Sequence, residues 1–217
     1  MKQIKTILWD FDGVILDSMP IRDYGFRKIF ENFDESLVNQ LIEYHNLNGG
    51  LSRFHKIKYF YNELLKRDIT EEQVCEYADR FSAIMREELI NPKYLISDSI
   101  EFIRKNYQKY SFHIVSGSEH NELNYLCQQL RISKCFISIN GSPIPKTELV
   151  KRLLDQYNYL QGDTILIGDS MNDFEAAEKN GVVFYGYHNN ILYKNGLNYI
   201  DDFKNFVLND NLSYGIT

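Results

Sequence analysis

Ile7-Leu8-Trp9-Asp10-Phe11-Asp12-Gly13-Val14-Ile15-Leu16-Asp17-Ser18 is a short apolar run that ends abruptly in two carboxylates one residue apart. The run reads as a buried strand that delivers the carboxylates to its carboxyl end. Side chains alternate faces along a strand, so Asp10 and Asp12 point the same way, and Gly13 lets the backbone turn sharply without a Cβ clash. Two like charges this close raise one pKa unless a cation is shared between them. The geometry suits a hard divalent ion such as magnesium with an anionic substrate, one Asp acting as nucleophile and the other as general acid and base. Asp is also common in turns, so the pair decides nothing alone.

The other strand ends decide it. Beyond Asn91-Pro92 the chain alternates strands with helices, a pattern that implies parallel pairing. Ser111–Val115 reads as a strand ending at Ser116-Gly117-Ser118, and Asp163–Ile167 as one ending at Gly168-Asp169-Ser170-Met171-Asn172-Asp173. Cys135–Ile139 and Val182–Tyr185 complete the core strands, with helices expected at Asp98–Tyr107, Glu119–Leu130, Lys146–Tyr157 and Asp173–Asn180. The tail Asn198–Leu208 reads as a strand end and a short helix. Ligands of an open parallel sheet bind outside the carboxyl ends of its strands. Asp10/Asp12, Ser116/Ser118 and Asp169/Asp173, with Lys146 at a helix start, therefore form one constellation. It supplies carboxylates for a metal and a nucleophile, a hydroxyl and amides for phosphate oxygens, and a lysine for their charge.

Between the first strand and Asn91 nothing reads as a strand. Ser18 is placed as a helix N-cap with Pro20 in the first turn, and the helix runs to about Asn32. Leu37, Leu41 and Tyr44 mark a second helix stopped by Asn48-Gly49-Gly50, and Phe54, Ile57 and Tyr61 mark a third. Thr70-Glu71-Glu72-Gln73 has the capping-box form and opens a fourth through Val74, Tyr77, Phe81 and Met85.

Composition narrows the partners. With 24 basic and 30 acidic residues the net charge is −6, against a nucleic-acid footprint or a polybasic membrane surface. At 217 residues and 44% hydrophobic content, the chain fills one large domain, or a core domain with a modest insertion. Cys75, Cys127 and Cys135 have neither zinc nor disulfide-framework spacing and read as buried or half-buried thiols. No apolar stretch approaches the roughly eighteen residues that span a bilayer, and the N-terminus lacks a long apolar segment, so a cytoplasmic location is expected. His113 is expected to be a satisfied buried imidazole, and the remaining histidines show no metal-ligand spacing.

Asp10-Phe11-Asp12-Gly13-Val14, Ile114-Val115-Ser116-Gly117, Lys146 and Gly168-Asp169-Ser170-Met171-Asn172-Asp173, in that order, resemble the four motifs of the haloacid dehalogenase superfamily of phosphatases. The resemblance spans almost the whole chain. It implies an α/β fold with a three-layer Rossmann-like core of residues 1–16 and 92–217, holding a parallel sheet, and a small all-helical cap of residues 17–91 that closes over the site. It implies that Asp10 attacks phosphorus to form an aspartyl-phosphate, and that Asp12 protonates the leaving oxygen and later activates water. Mg2+ would be held by Asp10, the Asp12 carbonyl and Asp169 with Asp173 in support. Ser116, Gly117 and Lys146 would bind the phosphoryl group. The expected reaction is hydrolysis of a small phosphomonoester, phosphoglycolate or a sugar phosphate, by a monomer or dimer. Gly50-Leu51-Ser52-Arg53 resembles the cap substrate loop of the phosphoglycolate phosphatase and β-phosphoglucomutase branch. Arg53 and Lys56, three residues apart on one helix face, are either substrate contacts or solvated cap charges. A phosphosugar mutase and a non-catalytic phospho-ligand binding protein are the alternatives, the mutase disfavoured because Arg22 falls where a histidine is usual.

Overall fold

The computed structural model describes residues 3–195 and 197–206. Six parallel strands, β1 (Thr6–Trp9), β2 (Ser111–Glu119), β3 (Ser138–Ser142), β4 (Thr164–Gly168), β5 (Val183–Tyr187) and β6 (Tyr199–Ile200), form one sheet in the order β3-β2-β1-β4-β5-β6. β1 lies between β2 and β4, with Trp9 level with Ile114 and Ile167, so the ends of three strands meet beside Asp10.

Strand alternation builds the layers. Ile7, Trp9, Phe112, Ile114, Ile165 and Ile167 face one apolar cluster, whereas Leu8, Val115 and Leu166 face another. Helices α5 (Ser97–Asn106) and α6 (His120–Gln129) cover the first face through Ile100, Ile103, Leu123 and Leu126. Helices α7 (Lys146–Tyr157) and α8 (Met171–Lys179) cover the second through Val150, Leu153, Ala176 and Ala177. Burial on both faces explains why the central strands read as continuous apolar runs. At about 25 cal/mol per Å2, this burial is what opposes chain entropy. α9 (Asn190–Lys194) follows β5.

Four helices stand between β1 and α5: α1 (Met19–Ile29), α2 (Glu35–Leu47), α3 (Arg53–Tyr59) and α4 (Glu71–Glu88). α3 continues into one wide turn at Phe60–Leu64. They pack through aromatic rings, Phe30 on Phe60 at 4.1 Å and Phe26 on Phe81 at 4.6 Å between centroids. The capping box at α4 forms as the spacing predicts, Gln73 N donating to Thr70 Oγ1 and Thr70 N to Gln73 Oε1. The two chain passages that join these helices to the rest run side by side, with Ile96 N donating to Ile15 O and Asp17 N to Tyr94 O.

Three local expectations change. Ser18 precedes α1 but its hydroxyl donates to Asp12 rather than capping the helix. The strand expected at Cys135–Ile139 lies at Ser138–Ser142 behind a tight turn at Ser133–Cys135, because pairing with β2 holds even the polar Asn140-Gly141-Ser142 extended. No helix occurs in residues 201–206, and Leu208 lies outside the described residues, as do Met1 and Lys2.

Candidate active site

Asp10 leaves the end of β1 buried, its backbone N–H bonded to Ile167 O of β4. Gly13, three residues on, has φ +75°, and a Cβ there would lie 2.0 Å from Asp169 Oδ2, so the turn needs glycine for both conformation and approach. Asp169 follows β4, and Asp173 sits in the first turn of α8. Asp173 Oδ2 accepts from the N–H and hydroxyl of Ser170, at 3.1 and 2.6 Å, which fixes the carboxylate in place. Asp10, Asp169 and Asp173 each offer an oxygen, all within 4.8 Å of one another.

Among the described residues one cation faces this cluster. Lys146, at the start of α7, is buried and places Nζ 2.8 Å from Asp10 Oδ1 and against Asp173 Oδ1. A single ammonium does not balance three carboxylates. Burial, then the charge of Asp173, pushes Asp10 up to about 7 against the pull of Lys146. Burial, then Asp10 and Asp173, holds Asp169 well above the usual carboxylate range. Burial opposes the charge on Lys146, yet Asp10 and Asp173 keep its pKa raised. A divalent cation fits this donor set: three hard oxygens whose combined negative charge exceeds the single positive charge of Lys146.

Asp12, two residues from Asp10, has opposite surroundings. Its Oδ1 accepts from Arg22 Nε at 2.7 Å and from the Ser18 hydroxyl, and its Oδ2 from the Ser118 hydroxyl at 2.5 Å. Burial would raise its pKa, but Arg22, Ser118 and Ser18 hold it below the ordinary carboxylate value. Arg22 is itself fixed, Nη2 donating to Ser118 at 2.8 Å and Nη1 pairing with buried Glu122 at 3.5 Å.

Glu122 also pairs with Arg53, Nη1 to Oε2 at 2.5 Å, and Arg53 Nη1 donates to Ser82 at 2.6 Å. Lys56 Nζ donates to His45 Nδ1 at 2.7 Å and to Gly49 O at 3.3 Å. Arg53 and Lys56 are thus buried, at 4% and 2% exposure, rather than solvated. They border a cavity of about 20 Å3 with Asp12, Arg22, His45 and Ser118. A second cavity, about 250 Å3, is bordered by Lys146, Gly117, Leu51, Ser52 and His55. Between the two, the turn before α3 lies on the end of β2, where a Cβ on Gly117 would meet Gly50 O at 2.5 Å.

The structure therefore brings Asp10, Asp169, Asp173 and Lys146 together. Asp12, Arg53 and Lys56 meet around the smaller cavity, and buried Ser116, whose Oγ accepts from Ser118 N at 3.1 Å, lies at the end of β2. Sequence reading missed Ser18, His45, Ser82 and Glu122 as site neighbours and gave Arg22 and Ser118 no contact with Asp12. Only Arg22 carried a signal, being one helical turn past Ser18. His113 lies elsewhere, bonded to Ser138 and Tyr159 and pushed down to about 4 by burial.

Residues 7–187 match the haloacid dehalogenase-like hydrolase family, and the chain belongs to it. It is similar to a phosphoglycolate phosphatase of Aliivibrio fischeri, 21% identical over 197 residues that cover 86% of this chain and 87% of the relative. It is also similar to a phosphorylated carbohydrates phosphatase of Thermotoga maritima, 22% identical with 82% of each chain covered. Among solved structures, a β-phosphoglucomutase from Clostridium difficile shares the fold at TM-score 0.74 and 18% identity, over 95% of this chain and 94% of that one.

Proposed function

We propose that the protein is a magnesium-dependent phosphatase of small phosphomonoesters that works through an aspartyl-phosphate on Asp10. The observation that carries this reading is the convergence of Asp10, Asp169, Asp173 and Lys146 at the carboxyl edge of a parallel sheet, beside an Asp12 held in a separate environment. The relatives named as phosphatases support the substrate class.

Asp10, the Asp12 carbonyl and Asp169, with Asp173 in support, would hold magnesium, which when bound lowers the charge repulsion between carboxylate and phosphate. Lys146 and Ser116 with the Gly117 amide bind the phosphoryl oxygens. A carboxylate oxygen of Asp10 forms a bond to phosphorus as the bond to the leaving oxygen breaks, and Asp12 gives that oxygen its proton. Water then attacks the aspartyl-phosphate, losing a proton to Asp12 and releasing inorganic phosphate and free Asp10. Arg22 favours the ionised form of Asp12, so the proton Asp12 gives in the first step is one it takes from the phosphate monoanion or from solvent as substrate binds, and the attacking water returns a proton to Asp12 in the second step. Residues 17–91 act as the cap that excludes water during the first step.

A phosphate-release screen over small phosphomonoesters, with magnesium and then with a chelator, tests the reading. Release that stops on chelation and returns with magnesium is expected. Full activity after exhaustive chelation overturns the metal role, and no release from any phosphomonoester overturns the function.

A further inference from the structure

The loop after β5 reaches the acidic cluster through a residue outside the four motifs. Asn189 Nδ2 donates to Asp169 O at 2.7 Å, and its Oδ1 accepts from Ile191 N at 2.9 Å, capping α9. Asp169 O and Ser170 N belong to one peptide unit, whose N–H donates to Asp173 Oδ2 at 3.1 Å. A peptide unit is planar, so bonds at both of its ends fix its rotation, and that rotation sets where the Asp169 side chain leaves the backbone. The surroundings leave little slack: a Cβ on Gly13 would lie 2.0 Å from Asp169 Oδ2, and one on Gly168 would lie 2.3 Å from Asp173 Cβ. The loop is itself anchored. His188 has φ +57°, a conformation that crowds a Cβ against the following carbonyl, and its ring stacks on Tyr187 at 5.2 Å between centroids. Tyr187 is buried and donates to Asp98 at 2.8 Å, and Leu192 of α9 is fully buried. An unfavourable turn kept between two anchored neighbours marks a segment fixed for its position.

We infer that Asn189 is a positioning residue for the metal: by holding the Asp169-Ser170 peptide it keeps the Asp169 and Asp173 carboxylates at the spacing one cation needs. The inference rests on the magnesium reading above. Like charges in the cluster repel one another and favour spreading until a cation arrives. Lys146 makes its ion pairs with Asp10 and Asp173, so Asp169 depends on its backbone for placement. The residue type fits the task. A carboxamide carries a donor for Asp169 O and an acceptor for Ile191 N on one rigid plane, whereas a carboxylate in its place would set an anion against a carbonyl oxygen.

The test compares wild type, Asn189→Ala and Asn189→Ser by calorimetric magnesium binding, by Tm, and by amide hydrogen exchange of the metal-free protein. Serine caps a helix about as well as asparagine but ends one atom short of Nδ2, so Asn189→Ser keeps the cap on α9 and loses the bond to Asp169. The magnesium Kd is expected to weaken by about 10–100-fold in both variants. The Ser170 amide is expected to exchange about tenfold faster in both, with the Tm of Asn189→Ser near that of wild type. A Kd that falls in Asn189→Ala and is restored in Asn189→Ser would make Asn189 a helix cap and overturn the inference. Exchange at Ser170 as slow in Asn189→Ser as in wild type would overturn it too. If wild type binds no magnesium, the metal reading fails, and the exchange rate at Ser170 still decides whether Asn189 holds the peptide.

Discussion

Asp10 and Asp12 are two residues apart and live in opposite electrostatic regions. Around Asp10, three carboxylates share one lysine, and burial with mutual repulsion pushes Asp10 up to about 7. Around Asp12, the side chains of Arg22, Arg53 and Lys56 are buried beside Asp12 and Glu122, and Arg22 holds the Asp12 pKa down. The excess of negative charge around Asp10 suits a cation, whereas Asp12 is already paired with Arg22. The backbone achieves the split within one turn, because β1 ends at Trp9 and Gly13 folds the chain back at positive φ.

Breaking the Asp10 side at its centre gives the largest effect. Asp10→Asn removes the proposed nucleophile and one oxygen of the acidic cluster, so phosphate release is expected to fall by about ten-thousandfold with the circular-dichroism spectrum retained. Substantial remaining turnover would move the nucleophile elsewhere.

Lys146→Met leaves the carboxylate cluster without its internal cation. Removing one partner of a buried ion pair costs about 3–5 kcal/mol, read as a lower denaturant midpoint. Magnesium is expected to restore part of the loss, since it supplies the missing charge; equal loss with and without magnesium would separate the lysine from the metal.

The metal's stabilising effect also has a predicted pH course. Asp10 and Asp169 bind protons up to higher pH than ordinary carboxylates, and a cation must displace those protons. The stabilisation added by magnesium, read as a rise in Tm, is therefore expected to be small near about pH 5 and to grow by up to about 1.4 kcal/mol per pH unit for each displaced proton as the pH rises toward the Asp10 value of about 7. A rise independent of pH would mean that the metal binds elsewhere.

The smallest change touches the seam between the two regions. A Cβ on Gly117 meets Gly50 O at 2.5 Å, and backbone cannot rotate away, so Gly117→Ala props the turn before α3 off β2. Activity is expected to fall by about tenfold with Tm little altered. Wild-type activity in this variant would show that the contact is not needed for catalysis.

The sheet and the acidic cluster were legible because their determinants are local. Apolar runs of strand length end in Asp10, Ser116 and Asp169, and a parallel sheet collects such ends on one edge. The basic region was not. Arg22, His45, Arg53 and Glu122 come from four separate helices, and the helical pattern that buries Val38, Ile57 and Leu123 says nothing about which charged neighbours enter with them. Ser18 shows the limit within a single turn, since its cap-like spacing is real but Asp12 is the stronger acceptor. β3 was misplaced because an edge strand is held by pairing, and Ser138-Ile139-Asn140-Gly141-Ser142 has too little apolar character to announce it.

The claim that Asp10 forms a covalent intermediate is tested most directly by acid-quenching the enzyme during turnover and mapping phosphoryl adducts by peptide mass. An acid-stable, base-labile phosphoryl group on the peptide containing Asp10, absent from Asp10→Asn, is predicted. An adduct on any other residue, or steady turnover with no adduct formed even under single-turnover conditions, would contradict it.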